Sequence, residues 1–398
     1  WSTVHRGVTN ELHKLNDINQ DSTIADSLYP TIFQKCINSG LSVGLVNTMH
    51  SGRLAASKNN QYDFLIPEAF SSSSFCIPPS LEPFQKFNLA MSRRSSRVVS
   101  KKIPKDINLF AVLVSYFRNT RSLRVIKLVC KQFFLEFINP FTKVRRRTIQ
   151  SDLIFELFLS LLNKKNSDLS VFFTNHVASS MHRFWEATFP KDYKKQIASD
   201  DWIETYKNEI PIAMQNTQYY IKTLKEFVDK RDNFQLWILS SMGQQSIDGY
   251  EPQSYFWDII NMNEYVSSCL QRKVKIKVLP QMIPIYSFQA NQDVINQFSH
   301  FINKSKNIKL RGKTSTTIAF SINNQDCMLT IMGNNFKPSG IEKRAIDEKT
   351  SSAAYHIPEG FLLRYGPYIK DIDKKFFNDK GLIKTNYIKS ILETTLEI

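Results

Sequence analysis

Three histidines stand where a sheet protein commonly does its chemistry. His176 and His182 follow the apolar run Val171, Phe172, Phe173, and His356 precedes the run Phe361, Leu362, Leu363. Such runs read as buried strands, and in open α/β sheets ligands bind beyond the carboxyl ends of the strands. Neutral imidazoles are good zinc ligands, and three of them around an ion with an open fourth position form the catalytic zinc pattern. The gap between His176 and His182 is not the i, i+4 spacing of one helical face. A single loop histidine is more often a hydrogen-bonding structural group, so spacing alone leaves the convergence of the three open.

Charge is the second signal. The 398 residues include 52 Lys or Arg and 36 Asp or Glu, a net +16. Between Arg93 and Arg147, fifteen basic residues face only Asp106 and Glu136, so this one segment carries +13 and the remainder is near neutral. Its subclusters are Arg93, Arg94 and Arg97 with Lys101 and Lys102; then Arg118, Arg121, Arg124, Lys127 and Lys131, spaced to cover one broad face of a helix; then Arg145, Arg146 and Arg147. Clustered charge concentrates anions, so a phosphate-bearing substrate or polyanion is expected here, against the plainer reading of a solvated helical face. No zinc-finger or RNA-recognition pattern accompanies the charge, which ranks nucleic acid last among partners.

The elements that must position these groups follow from apolar spacing. A hydrophobic content of 42% with 22% charged residues excludes a disordered or fibrous chain. No apolar run is long enough to span a bilayer; the longest, 109–117, fits a buried helix or strand. The five cysteines, Cys36, Cys76, Cys130, Cys269 and Cys327, are odd in number and widely spaced, against a disulfide scaffold or a CxxC metal site. Most are expected in the core, and this usage is compatible with a reducing cytosol. The chain opens at Trp1 with no initiator Met or leader, so an upstream piece is expected. Helices are predicted over 29–38 (stopped by Gly40), 153–162 (N-capped by Ser151 or Asp152), 202–229 and 385–396; strands over 42–47, 169–173, 234–239, 273–279, 327–332 and 361–365. That alternation predicts an α/β domain with a mainly parallel sheet, interrupted by a basic helical insertion or cap at 91–150.

In their order these segments resemble the alkaline phosphatase superfamily, most closely its type I phosphodiesterase and nucleotide pyrophosphatase branch. Members have a central sheet between helices, a Thr or Ser nucleophile, an Asp...His pair, an Asp-His-Gly triplet and a late His, with two divalent metals, commonly zinc. His356, Pro358 and Gly360, followed by an apolar run and Gly366-Pro367, are similar to the late-histidine segment. Asn175, His176, His182, Arg183, Phe184 and Trp185 are similar to the Asp...His pair, 237–243 to the strand and triplet, and 6–10 to the nucleophile turn. The resemblance spans nearly the whole chain. It departs at Ser241 and Met242, which stand where the triplet has Asp and His and are poor ligands for a divalent cation.

The resemblance implies a single alkaline-phosphatase-like α/β domain over 1–398, truncated at its N-terminus, with helices sandwiching the sheet. It implies one surviving metal site, zinc foremost, from His176 (or Asn175), His182 and His356, the other lost at Ser241 and Met242. Thr9 becomes the candidate nucleophile, with Thr3 its competitor and His5 or His13 as base. Arg6 and Arg183 either stabilise phosphoryl oxygens or are salt-bridged structural residues. The expected activity is hydrolysis or transfer of a phosphate ester or diester, nucleotide- or glycan-linked. The alternative is a non-catalytic relative that binds a phosphorylated glycan, nucleotide or other polyanion through its basic region. Relatives are often exported, so the compartment stays open between export and the cytoplasm that the cysteines suggest.

Overall fold

The computed structural model describes residues 1–16, 20–52, 62–94, 107–120, 122–251, 254–279, 281, 285–305, 308–322, 329–331, 334–336, 338–346, 352–367 and 369–398. Four short helices open the chain: α1 (Ser2–Arg6), α2 (Asn10–His13), α3 (Thr23–Leu28) and α4 (Ile32–Asn38). Thr31 caps α4 by accepting the Gln34 N–H, and Gly40, at φ 82°, takes the left-handed turn that releases the chain into β1 (Val43–Val46). All four residues of β1 are buried, because it is the middle strand of a parallel sheet with β2 (Tyr62–Ile66) and β3 (Leu169–Phe172), in the order β2-β1-β3. A Cβ on Gly44 would lie 2.1 Å from the Phe64 ring, so glycine is what lets that ring cross the central strand.

The crossover from β2 to β3 is helical. It comprises α5 (Glu82–Arg94), α6 (Leu109–Asn119), α7 (Leu123–Ile138) and α8 (Arg146–Lys165). The basic segment 91–150 therefore lies within the connection between two strands of the parallel sheet. Helix α8 faces the sheet with Phe155 and Phe158, which pack on Phe172 and, from Phe158, on Phe64. It begins several residues before the capped start that the sequence suggests. Asp152 is no cap: it is fully buried inside α8 and accepts from Arg124 Nη2 at 2.8 Å, Tyr220 Oη at 3.0 Å and Asn216. Nor do the basic residues from 118 to 131 share one helix. Arg118 ends α6, Arg121 lies outside the described residues, and Arg124, Lys127 and Lys131 belong to α7.

After β3 come α9 (His176–Thr188), α10 (Asp200–Tyr206) and α11 (Glu209–Asp229). The chain then leaves the parallel sheet. Strands β4 (Leu236–Ser240), β5 (Gly243–Ser246) and β6 (Tyr255–Ile259) run outward. They carry a lobe built of α12 (Met262–Cys269), β7 (Lys277–Leu279), β8 (Ile285–Gln289), α13 (Gln292–Lys304), β9 (Ile308–Lys313) and β10 (Thr317–Ile322), with a short hairpin β11 (Leu329–Ile331) and β12 (Asn334–Phe336). The lobe's sheet is antiparallel, ordered β7-β8-β10-β9, and Tyr265, Phe288, Phe298 and Phe320 fill a core of its own. The return strands β13 (Ile341–Ala345), β14 (Ala354–Ile357) and β15 (Phe361–Tyr365) pair antiparallel with β6, β5 and β4 in turn. A final helix, α14 (Ile388–Leu396), packs back on α1 and α4.

The protein is thus mixed α/β with several small sheets, of which, among the described residues, the three-stranded one alone is parallel. The runs at 234–239 and 361–365 pair with each other instead of extending it. A continuous apolar run records burial, not the identity of its neighbour, and here β15 alternates exposed and half-buried residues, the mark of an antiparallel ribbon with one face open. Cys36, Cys76 and Cys269 are buried and Cys130 is exposed, while Cys327 lies outside the described residues.

The Asp152 cluster yields a stability prediction. Asp152→Ala strands Tyr220 and Asn216, leaves Arg124 with Glu156 alone, and is expected to cost about 3–5 kcal/mol in urea unfolding. A loss below about 1 kcal/mol would show that the cluster is solvated and carries no such weight.

Candidate functional site

His182 and His356, distant in sequence, meet where α9 packs against β14. Their Nε2 atoms are 3.3 Å apart, and the rings stand nearly perpendicular. Helix α9 delivers His182, and the start of β14 fixes it twice. The Ala353 N–H donates to the His182 carbonyl at 2.7 Å, and His182 Nδ1 lies 2.7 Å from the Ala354 carbonyl oxygen. A nitrogen facing a carbonyl must carry the proton, so neutral His182 presents its Nε2 lone pair to His356. Burial holds His182 below the ordinary histidine pKa, opposed by the Ala354 carbonyl and reinforced by His356 and Arg183, so it stays neutral near pH 7.

Gln244 completes the cluster, and nothing in the sequence singles it out. It lies directly opposite His356 in the β5–β14 ladder, where side chains share a face. Its amide nitrogen donates to the Ala178 carbonyl of α9 at 3.3 Å, one turn before His182, while its buried Oε1 has no hydrogen-bond partner among the described residues. Two nitrogens bound about 2.0–2.1 Å from a tetrahedral ion stand about 3.3–3.4 Å apart, which is the separation found here. A ligating histidine usually passes its second N–H to a carbonyl, as His182 does. The separation of the pair is thus that of two nitrogens on one divalent ion. No group of three or more His, Cys, Asp or Glu side chains able to hold a metal occurs among the described residues.

The third expected ligand does not join them. His176 opens α9, six residues before His182, which is about 9 Å along the axis and about 120° around it. It is buried against α11, with Nε2 3.1 Å from the Ala213 carbonyl and Nδ1 2.7 Å from Thr174 Oγ1. The carbonyl claims the protonated nitrogen and the Thr174 hydroxyl the lone pair that a metal would need. Asn175 is exposed at the helix start and makes no side-chain cap. Ser241 and Met242 form the turn between β4 and β5, and Met242 is 44% exposed.

The residues expected to handle phosphate have local roles. Arg6 is 2% exposed, ion-paired to Asp26 and bonded from Nη1 to the His50 carbonyl at 3.2 Å, so its guanidinium is enclosed. Arg183 donates to the Ser179 carbonyl of its own helix at 2.8 Å. Thr9 sits at the N-cap of α2, exposed, and makes no side-chain cap. Its neighbour α1 packs on α4 and α14, whereas the histidine pair lies where α9 meets β5 and β14. Thr3 Oγ1 does lie 3.0 Å from His13 Nε2, the spacing of a nucleophile and its base. However, His13 Nδ1 accepts the Leu15 N–H at 3.0 Å, so neutral His13 carries its proton on Nε2 and donates to Thr3. His5, edge-on to Phe33 with Nδ1 toward the His50 carbonyl, is pushed by burial down to about 3.

Two of the basic triplet are also engaged. Arg145 grips Glu209 from Nε and Nη2 at 2.9 and 2.8 Å, and Arg146 grips Glu136 at 2.7 and 2.6 Å. These forks tie the end of the crossover to α11 and α7, so the anion-binding role expected of Arg145 and Arg146 gives way to internal pairing. Arg147 lies in the first turn of α8 and Arg93 and Arg94 in the last turn of α5, while Arg97 lies outside the described residues.

His176 gives a pH prediction. Burial, opposed by the Ala213 carbonyl, pushes it down to about 4, against an ordinary 6.5. The unfolded chain therefore binds a proton that the folded one refuses, and stability falls as pH drops from 6.5 to about 4, by roughly 3 kcal/mol in all. His176→Asn is expected to flatten that part of the urea-unfolding profile by one proton; an identical pH slope in both proteins would assign the loss elsewhere.

Against protein-family models, curated proteins and solved structures alike, the chain has no match.

Proposed function

We propose that this chain is a phosphoric ester hydrolase or phosphotransferase of the alkaline phosphatase type, acting on a nucleotide- or glycan-linked phosphate ester or diester with a single metal site. The observation that carries the proposal is the meeting of His182 and His356, brought within 3.3 Å from helix α9 and strand β14. These two residues would hold one divalent ion, zinc foremost; bound there, the ion would supply Lewis-acid polarisation of a phosphoryl oxygen. The chain's own contribution is orientation. Ala354 fixes the His182 tautomer, and the β5–β14 pairing sets His356 and Gln244 on one face. The helix-flanked parallel sheet is compatible with a reduced alkaline-phosphatase-like core, and the remaining ribbon and lobe with elaborations of it.

A second reading has its own support. The enclosure of Arg6, the capping position of Thr9 and the Ser241–Met242 turn leave no nucleophile beside the pair among the residues first considered. A non-catalytic relative that binds a phosphorylated glycan or nucleotide would need none.

Elemental analysis of the chain purified without chelator separates the two. About one zinc or manganese per chain is expected, lost in His182→Ala and in His356→Ala but kept in His176→Ala. With metal present, hydrolysis of a chromogenic phosphodiester is expected to fall with it. The absence of stoichiometric metal would hand the protein to the binding reading. Thr9→Ala is expected to leave turnover within about twofold of the parent, since Thr9 has no geometric link to the pair; a loss of a hundredfold or more, as for a removed nucleophile, would restore it to the mechanism.

A further inference from the structure

The run at 109–117, expected to be buried, is helical and half exposed. Helix α6 buries Val112, Ser115, Tyr116 and Asn119 and turns Leu109, Phe110, Leu113, Val114 and Phe117 outward, with Phe110 76% exposed. Helix α7 repeats the arrangement. It buries Val125 and Gln132, while Leu123, Ile126, Phe133, Phe134 and Phe137 lie within an arc of about 100° on the outer side, Phe137 at 88% exposure. Both helices pack on α8, so both apolar faces point away from the body. Summed over these ten side chains, the exposed apolar surface is on the order of 1,000 Å².

We propose that the apolar faces of α6 and α7 seat the protein in the surface of an anionic lipid bilayer. Charge selects this occupant. Lys127 and Lys131 flank the apolar arc of α7 and Arg118 ends that of α6; all three are exposed and make no ion pair among the described residues. The one acid between 107 and 151, Glu136, is taken by Arg146. A Phe- and Leu-rich face edged by lysine is the composition of an interfacial helix, whereas the cores of protein–protein interfaces are depleted of lysine. The helices lie in the surface and do not cross it. Their 11 and 16 residues reach about 16 and 24 Å, short of the roughly 30 Å hydrocarbon layer, and no described helix is long and apolar enough to span. The proposal is independent of the phosphoesterase reading.

Vesicle flotation of the full chain tests it. The protein is expected to float with vesicles containing about 30% phosphatidylglycerol and to stay behind with pure phosphatidylcholine, and added salt is expected to weaken the binding. Lys127→Gln with Lys131→Gln is expected to lower the partition coefficient about thirtyfold, and Phe133→Ser with Phe137→Ser about a hundredfold, each with an unchanged Tm because these side chains are exposed. Failure to float on anionic vesicles at low salt would overturn the proposal, as would equal binding to neutral and anionic vesicles. So would a concentration-dependent dimer, seen by light scattering, that the Phe133→Ser, Phe137→Ser protein loses while lipid binding is absent; the face would then belong to a second copy of the chain.

Discussion

Two short hydrogen bonds between a single helical residue and the entry of one strand hold the two halves of this molecule in register. His182 gives its ring proton to Ala354 and its carbonyl to the Ala353 N–H. The Ala353 carbonyl is itself shared by the Tyr193 hydroxyl and the Ile247 N–H. Both alanines are fully buried, so a larger side chain at either would push the strand off the helix. Because β14 is anchored at this point, the register of the ribbon follows, and with it the placement of His356 and Gln244. A potential reactive centre and a structural clamp are here the same few atoms.

The body depends on a comparable economy in the crossover. Asp152 and Glu156 of α8 receive Arg124 from α7 and the hydroxyls of Tyr220 and Tyr219 from α11, and Arg145 and Arg146 make two more forks nearby. Part of the positive charge that looks in sequence like a surface for anions, that of Arg124, Arg145 and Arg146, is spent on locking helices together around an apolar core. Among the described residues, Arg118, Lys127 and Lys131 stay at the surface beside exposed apolar side chains of α6 and α7. The number of charges in a segment is legible in sequence; their partners are not.

The local elements were readable where local chemistry decides them. Thr31 and Gly40 mark the two ends of the helix leading to β1, and the apolar runs at 42–47, 169–173 and 361–365 became strands. Partners across the chain were beyond that reach. An apolar run such as 236–239 is equally suited to a parallel interior and to an antiparallel ribbon, and Asp152 looks like a cap until Arg124 is seen beside it. At the site, His182 and His356 were visible by type and by their place next to strands, yet His176 has the same credentials and faces the other side of its helix. Gln244 gave no signal, since a glutamine acquires meaning only from what lies across the ladder.

The lobe between β6 and β13 has a further consequence. Ile259 and Ile341 are paired neighbours, so the chain enters and leaves the lobe through points about 5 Å apart. With its own core, the lobe behaves toward the remainder as a long loop behaves toward a hairpin, and the entropy of closing such a loop grows only with the logarithm of its length. A change in the length of this unit therefore leaves the closing pair of strands, and the ribbon that carries His356, with nearly the same entropy to overcome.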